Sequence, residues 1–221
     1  MIISDTVFFR KYTHADRHIC CTMMHDTWMY ERFFPNMKNP ANLYMFMLAS
    51  YLRESDYTEV AVRVDAHNNE EIVGFLCGQT KPLSFLRKIQ NVFFLLRATC
   101  MWIFGAYGKR IDIYKLLKKM KQDEHELFAD FTSKDAHIHL FFTTDNVRGL
   151  GIGKKLLSRF ENYCKEKNSP RILLITDTDC NYGFYNYSGF DCVKIQQGCF
   201  GVPQTEEEKM QSKTFVYVKN M

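Results

Sequence analysis

The stretch Val147-Arg148-Gly149-Leu150-Gly151-Ile152-Gly153-Lys154-Lys155-Leu156-Leu157 constrains this chain more than any other. Before it, Ala136 to Thr144 has the pattern of a strand. After it, from Gly151 to about Lys167, Ile152, Leu156, Leu157, Phe160 and Cys164 recur at helical spacing with charges between them. Glycines in the join let the backbone turn tightly and bring its N–H groups close to a ligand. A strand, a tight turn and an immediate helix call for an α/β fold.

Such a junction is suited to an anion, because the first amides of a helix lack partners and carry favourable partial charge. Arg148 and Lys154 bracket it with positive charge, and a pyrophosphate is the expected guest. It is not a Walker loop, which needs Ser or Thr after Gly-Lys where this chain has Lys155. Nor is it a dinucleotide fingerprint, since it reads G-x-G-x-G and comes late in the chain. On the residues alone, a plain tight turn remains the alternative.

The rest of the chain supplies one sheet and its helices. Thr6 to Lys11 reads as a short strand. His14 to about Glu31 reads as a helix with Ile19, Met23 and Met24 inward. Leu43 to Glu54 reads as another, carrying Leu43, Phe46, Met47, Tyr51 and Leu52, with Asn42 as its N-cap. Thr58 to Val64 alternates as a half-buried strand, His67 to Glu70 turns, and Glu71 to Gln79 returns as the second arm of a hairpin. Residues 81–130 read as a helical insertion: an apolar run from Val92 to Tyr107, then Arg110 to Lys121 with Ile113, Leu116, Leu117 and Met120 on one face. Arg171 to Thr176 suits a central strand covered on both faces. A short helix around Asn181 to Ser188 ends at Gly189, strands follow at Phe190 to Gln196 and Thr214 to Lys219, and Thr205 to Lys209 reads as a solvated acidic turn. One domain spanning 1–221, with 81–130 inserted in it, is the expected organisation.

Composition narrows the function classes. A net charge of +4 without a basic tail tolerates anionic ligands but gives no nucleic-acid footprint. Eight cysteines without a C-x-x-C pair form no disulfide framework, and the vicinal Cys20-Cys21 reads as two reduced thiols on a helix. The polar start Met1 to Asp5 is no secretory leader, so a cytoplasmic address is expected. Val92 to Tyr107 is shorter than the roughly 20 residues of a membrane span and contains Arg97, so a buried or pocket-lining helix is expected. An in-plane anchor would want a more basic polar face. His14, His18 and His25 lack the carboxylates of a metal set, and no metal is expected.

Arg148-Gly149-Leu150-Gly151-Ile152-Gly153 resembles the R/Q-x-x-G-x-G/A signature of the Gcn5-related N-acetyltransferase superfamily, and Tyr185-Asn186-Tyr187-Ser188-Gly189-Phe190 resembles its Y-x-x-x-G-F element. The resemblance covers most of the chain outside 81–130. It implies the acyl-CoA N-acyltransferase fold: a mixed, mostly antiparallel, splayed sheet flanked by helices. It implies acetyl-CoA as cosubstrate and acetyl transfer to a primary amine by direct attack through a tetrahedral intermediate. Backbone groups of Phe141, Phe142 and Thr143 would hold the pantetheine arm, amides from Gly149 to Lys154 the pyrophosphate, and Asn181 would touch the cofactor, although it precedes the tyrosine by a shorter gap than is usual. Tyr185 matches the residue that protonates the departing thiolate, with Tyr182 and Tyr187 as neighbouring competitors.

The general base is open. The family's frequent Glu falls here near Thr176, so Asp177 is the leading candidate, with Asp179, Asp135, His137 and His139 behind it. The acceptor is expected to be a small-molecule amine, its pocket shaped by residues 81–130. A peptide acceptor and a non-catalytic acyl-CoA-sensing module are the alternatives. No membrane or nucleic-acid partner is expected, and oligomeric state is not legible.

Overall fold

The computed structural model describes residues 6–29, 40–82, 85–202 and 204–221. In chain order the elements are β1 (Thr6–Lys11), α1 (Arg17–Trp28), α2 (Pro40–Glu54), β2 (Tyr57–Val64), β3 (Glu70–Gln79), α3 (Phe85–Ile103), α4 (Arg110–Leu127), β4 (Ala136–Thr143), α5 (Ile152–Glu166), β5 (Arg171–Asp177), α6 (Gly183–Tyr187), β6 (Asp191–Gln197), α7 (Glu206–Gln211) and β7 (Lys213–Asn220). The polar start at Met1 to Asp5 and the expected extension of α1 to Glu31 lie outside the described residues.

The strands form one sheet in the order β1-β2-β3-β4-β5-β7-β6. All neighbours are antiparallel except β4 and β5. That parallel pair matches Ala136 with Ile172, His137 with Leu173 and Ile138 with Leu174, and goes no further. Yet β4 stays on β3 as far as Thr143, and β5 stays on β7 as far as Asp177. Beyond Ile138 and Leu174 the two central strands part, and the sheet is splayed, as the resemblance implied.

Two cores cover its faces. One joins α1, α2 and α4 to Val60, Val62, Phe75, Cys77, Leu140 and Phe142. The other joins α5 to Ala61, Leu76, Ile138, Ile172, Leu174 and Tyr217. In α5 the buried residues are Ile152, Leu156, Leu157, Phe160 and Cys164, the predicted stripe. This helix lies close on β3. A Cβ at Gly78 would stand 2.6 Å from the His137 carbonyl oxygen and 2.7 Å from Phe160 Cζ.

A bulge re-aims β4. Cys77 pairs with Leu140 but Gly78 with Ile138, which leaves His139 as the extra residue. Ala136 and Ile138 therefore face α5, whereas Leu140 and Phe142 face α1 and α2. His139, stacked on Tyr51 of α2, shares the second side with them.

Several local expectations are corrected. Ile19 is turned to solvent, and α1 buries Cys20 and Cys21 beside the expected Met23 and Met24. A thiol behaves as a small hydrophobe, which shifts the inward stripe by a residue. Asn42 is not an N-cap, because α2 begins at Pro40; its side-chain amide donates to the Ala106 carbonyl at 2.8 Å. The acidic turn is helix α7, closed by a capping box between Thr205 and Glu208.

The apolar run over Val92–Tyr107 is not buried throughout, and none of its described residues lines the cavity between β4 and β5. Phe93 is 69% exposed and Phe104 87%, while Ala98 and Tyr107 are buried. It is apolar around most of its circumference but packs on one side, where Phe94 stacks on Phe46 at 5.6 Å and Asn42 ties its end to α2. Among the described residues no helix is long and apolar enough to cross a membrane.

Candidate active site

Where β4 and β5 part, a cavity of about 760 Å³ opens. It is lined from both faces of the sheet. On the α5 side stand Phe141, Thr143, Arg148, Gly153 and Tyr185; on the α2 and α4 side stand Tyr51, Glu54, Glu124, His137 and His139. The opening thus passes between the strands.

The β4 edge of this opening has free backbone groups. Thr144 N–H donates to Val73 O at 3.0 Å. Because a strand alternates, Phe142 also turns its N–H to β3, and Phe141 and Thr143 turn theirs into the gap. Of the three backbone positions expected to serve the pantetheine, Phe141 and Thr143 are oriented for it. Phe142 lines the cavity but packs its ring against Phe75 and Trp28.

At the wide end sits the glycine junction. Asp145–Val147 forms one 3₁₀ turn, and Arg148 pairs with Asp145 at 2.7 Å, both exposed. Gly151 is the N-cap of α5 at φ 73°, a left-handed conformation that costs a residue with a Cβ. Its neighbour Gly149 is left-handed as well. The first-turn amides of Ile152, Gly153 and Lys154 have no carbonyl within the helix. The Ile152 side chain is buried in the core and that of Lys154 is exposed. Leu150 departs from expectation: its N–H is already bonded to Val147 O at 3.2 Å, and its side chain is exposed. Gly153 borders Phe141 and Thr143, since a Cβ there would meet both at 3.5–3.7 Å. The junction and the open strand edge are therefore contiguous.

Of the three tyrosines on or beside α6, Tyr187 is 93% exposed and Tyr182 stacks on Phe215. Tyr185 is buried and lines the cavity, packed against Phe141, Phe190 and Tyr217. Burial, then the charges of Cys180 and Asp177, push its phenol well above the usual tyrosine range, so it stays protonated. Asn181 lines the cavity at the α6 entrance.

The candidate bases separate by environment. Asp177, at the end of β5, is buried, lines the cavity and has its pKa raised, chiefly by burial. It accepts the Asp179 N–H at 3.1 Å; the N-cap of α6 is Tyr182, so neither aspartate caps that helix. Asp135 is outside the cavity lining. Arg171 grips it with two bonds of 2.9 and 2.7 Å, and burial is outweighed so that its pKa falls. It clamps the root of the β4–β5 pair. His137 and His139 share one face, with ring centroids 6.3 Å apart. Burial lowers the pKa of both, that of His139 to about 3, so the latter is neutral.

Two cavity residues escaped the sequence reading. Glu54 and Glu124 belong to amphipathic helices, where a Glu reads as a solvated face, and nothing local marks them. Among the described residues no cluster of three His, Cys, Asp or Glu side chains is arranged to hold a metal ion.

Residues 106–209 match the family model described as the acetyltransferase (GNAT) domain. No curated protein matches the chain in sequence. Among solved structures, it is similar to an acetyltransferase of the GNAT family from Staphylococcus aureus Mu50, at 16% identity over 97% of this chain and 99% of that one, TM-score 0.51. The IAA acetyltransferase from Bacillus cereus ATCC 14579 is similar at 12% identity over 98% and 100%, TM-score 0.52. So is a chain of the NatC complex bound to Gag peptide and CoA, at 12% identity over 97% and 98%, TM-score 0.51. The two motifs and the splayed sheet agree with that family match, which covers residues 106–209 of the chain.

Proposed function

We propose that this protein transfers an acetyl group from acetyl-CoA to the nitrogen of a small-molecule primary amine. The observation that carries the reading is the parting of β4 and β5 after Ile138 and Leu174, with unpartnered helix amides at one end of the gap and Tyr185 within it. Those groups fit the cosubstrate. The amides of Gly151 to Lys154 suit a pyrophosphate, and the free edge of Phe141 and Thr143 suits an amide-bearing arm laid along it as an added strand.

The chain's own residues then have defined tasks. Asp177, made more basic by burial, takes the proton that an ammonium must lose before its nitrogen attacks the thioester carbon. As the carbon–sulfur bond breaks, sulfur gains the electron pair and Tyr185 donates its hydroxyl proton; the newly acylated nitrogen gives up its surplus proton, which restores the phenol. The burial that holds the phenol protonated also disfavours a free thiolate, which offsets part of the cost of this transfer. A cavity of about 760 Å³ accommodates a compact acceptor beside the arm. The likeness to a chain of the NatC complex makes peptides the competing acceptor class.

The test is calorimetric titration of acetyl-CoA into wild type and Gly151→Trp, followed by acetylation of an amine panel and a peptide panel. Binding lost in the variant and product formed from free amines supports the reading. Folded wild type that binds no acetyl-CoA refutes it, and product from peptides alone replaces the acceptor class.

A further inference from the structure

Helix α3 has two apolar sides. On one, Phe94, Ala98, Met101 and Trp102 turn toward α2 and the core, with Phe94 stacked on Phe46. The other meets solvent. Ile89, Val92, Phe93, Leu96, Cys100 and Ile103 are exposed, and their helical spacing sets them on one stripe opposite the packed side. The stripe runs ~21 Å along the axis. It ends at Phe104, the most exposed residue of the run. Soluble monomers seldom show a continuous apolar patch of more than a few hundred Å², and a larger one marks an interaction surface.

Charge says what covers it. Residues 81–121 hold ten lysines and arginines and one acidic residue, Asp112, a net +9, whereas the whole chain carries +4. The other 180 residues are therefore net −5. Between Val92 and Tyr107, Arg97 is the only cation, too little charge for an in-plane anchor by itself. The fold supplies the rest from α4. Trp102 Nε1 donates to the Arg110 carbonyl at 3.0 Å, so α4 starts against the end of α3. Along α4, Ile113 and Leu116 are buried, while Ile111, Tyr114, Lys115 and Lys118 are exposed on the opposite side. Lys109 and Arg110 at the corner are exposed as well. A second copy would bring the same positive surface against itself, which disfavours a dimer through this face. A protein partner finds its anchors in pockets, and the crest of a single helix has none. A fluid lipid surface needs no pocket.

From this juxtaposition we infer that α3 lies in the plane of an anionic lipid bilayer, its outward stripe among the acyl chains and the cations of α4 and the α3–α4 corner at the headgroups. The inference reverses the expectation of no membrane partner and is independent of the acetyl-transfer reading. It concerns attachment to a surface, for which a crossing helix is not required. An in-plane helix needs an apolar face, a cationic rim and a support that fixes its rotation. Here the packed side of α3 gives the support and α4 gives the rim. Tyr114 beside Lys115 and Lys118 suits the headgroup boundary, where amphipathic rings settle.

The experiment is co-sedimentation of the full chain with vesicles of phosphatidylcholine alone and of phosphatidylcholine with phosphatidylserine, at low and at physiological salt. Partition onto the phosphatidylserine vesicles is expected to be stronger by about tenfold or more and to weaken as salt rises. The double variant Phe93→Ser, Leu96→Ser should lower that partition by about tenfold or more. Lys115→Gln with Lys118→Gln should lower it about tenfold and leave the weak binding to phosphatidylcholine unchanged. All four positions are exposed, and an unchanged melting temperature reports a folded protein. Wild type that binds neither vesicle, or both equally, overturns the inference. Full binding by the serine variant reduces the surface to a plain basic patch and overturns it as well. So does soluble polyglutamate bound as tightly, charge for charge, as phosphatidylserine vesicles, which would assign the surface to an acidic polypeptide. A wild-type dimer in sedimentation equilibrium that the serine variant turns into monomer gives the stripe to a second copy instead.

Discussion

Replacing Gly78 by Ala tests how α5 and the bulge are seated on β3. The added Cβ would lie 2.6 Å from the His137 carbonyl oxygen and 2.7 and 2.9 Å from two carbons of the Phe160 ring. Neither neighbour yields easily. The carbonyl belongs to β4 at the root of the β4–β5 pair, and Phe160 is fully buried. Overpacking in a close-packed core costs about 1–3 kcal/mol, and contact with backbone places this site near the upper end. For a chain of this size about 3 kcal/mol lowers the melting temperature by roughly 6–12 °C. Gly74→Ala is the control. Its Cβ would meet Leu156 Cδ1 at 2.9 Å and Thr143 Cγ2 at 3.2 Å, both side-chain ends that can shift. Denaturant and thermal unfolding of both variants give the comparison. A Gly78→Ala protein as stable as wild type, or less damaged than Gly74→Ala, would refute the packing argument.

Tyr185→Phe keeps the ring packing and removes the proton donor. The turnover rate should fall by about 10²-fold with acetyl-CoA affinity retained, and an unchanged rate removes Tyr185 as the acid. Asp177→Asn should abolish the acid limb of the rate profile. In wild type activity rises as pH climbs through a carboxyl pKa held above the ordinary range by burial. The same raised pKa means the protonated carboxyl's favourable contribution is complete below its unfolded pKa and is lost as pH rises through the folded one. The variant should therefore be more stable than wild type at neutral pH, and a less stable variant contradicts the burial argument. Asp135→Asn has the opposite sign, since that pKa is depressed by Arg171 and Thr132. Its stabilisation is present above the unfolded pKa and lost as pH falls through the folded value. Loss of about 1.5–3 kcal/mol at pH 7, shrinking under acid conditions, is expected from urea unfolding.

The parts of this molecule that were legible in its sequence are those where one face of an element meets one environment. Helix α5 packs a single stripe onto the sheet, so its five buried residues were readable from spacing. Gly151 was readable because its backbone conformation excludes most other residues. Legibility failed where a long-range pairing decides the outcome. The bulge at His139 depends on the register of β3, and no property of Ala136 to Thr143 alone discloses it. The run around Phe93 has an apolar content that implies burial, but its place outside α2 gives it one packed side. Glu54 and Glu124 are ordinary helix residues by pattern, and they become cavity residues only because α2 and α4 border the same opening. The capping box of α7 was present in the residues, and an acidic run concealed it.

Because the opening between β4 and β5 is lined from both faces of the sheet, two reactants can approach from opposite sides and need not share a doorway. Each can arrive and leave while the other stays, so neither order of loading is imposed by sterics. A covalent conjugate of the two reactants is in a different position. Its two ends would belong on opposite faces, and to be seated whole one end must be threaded edgewise between strands that are hydrogen-bonded at their root. Such a conjugate would have to enter and leave through the wide end of the gap, so one supplied from solution would load slowly.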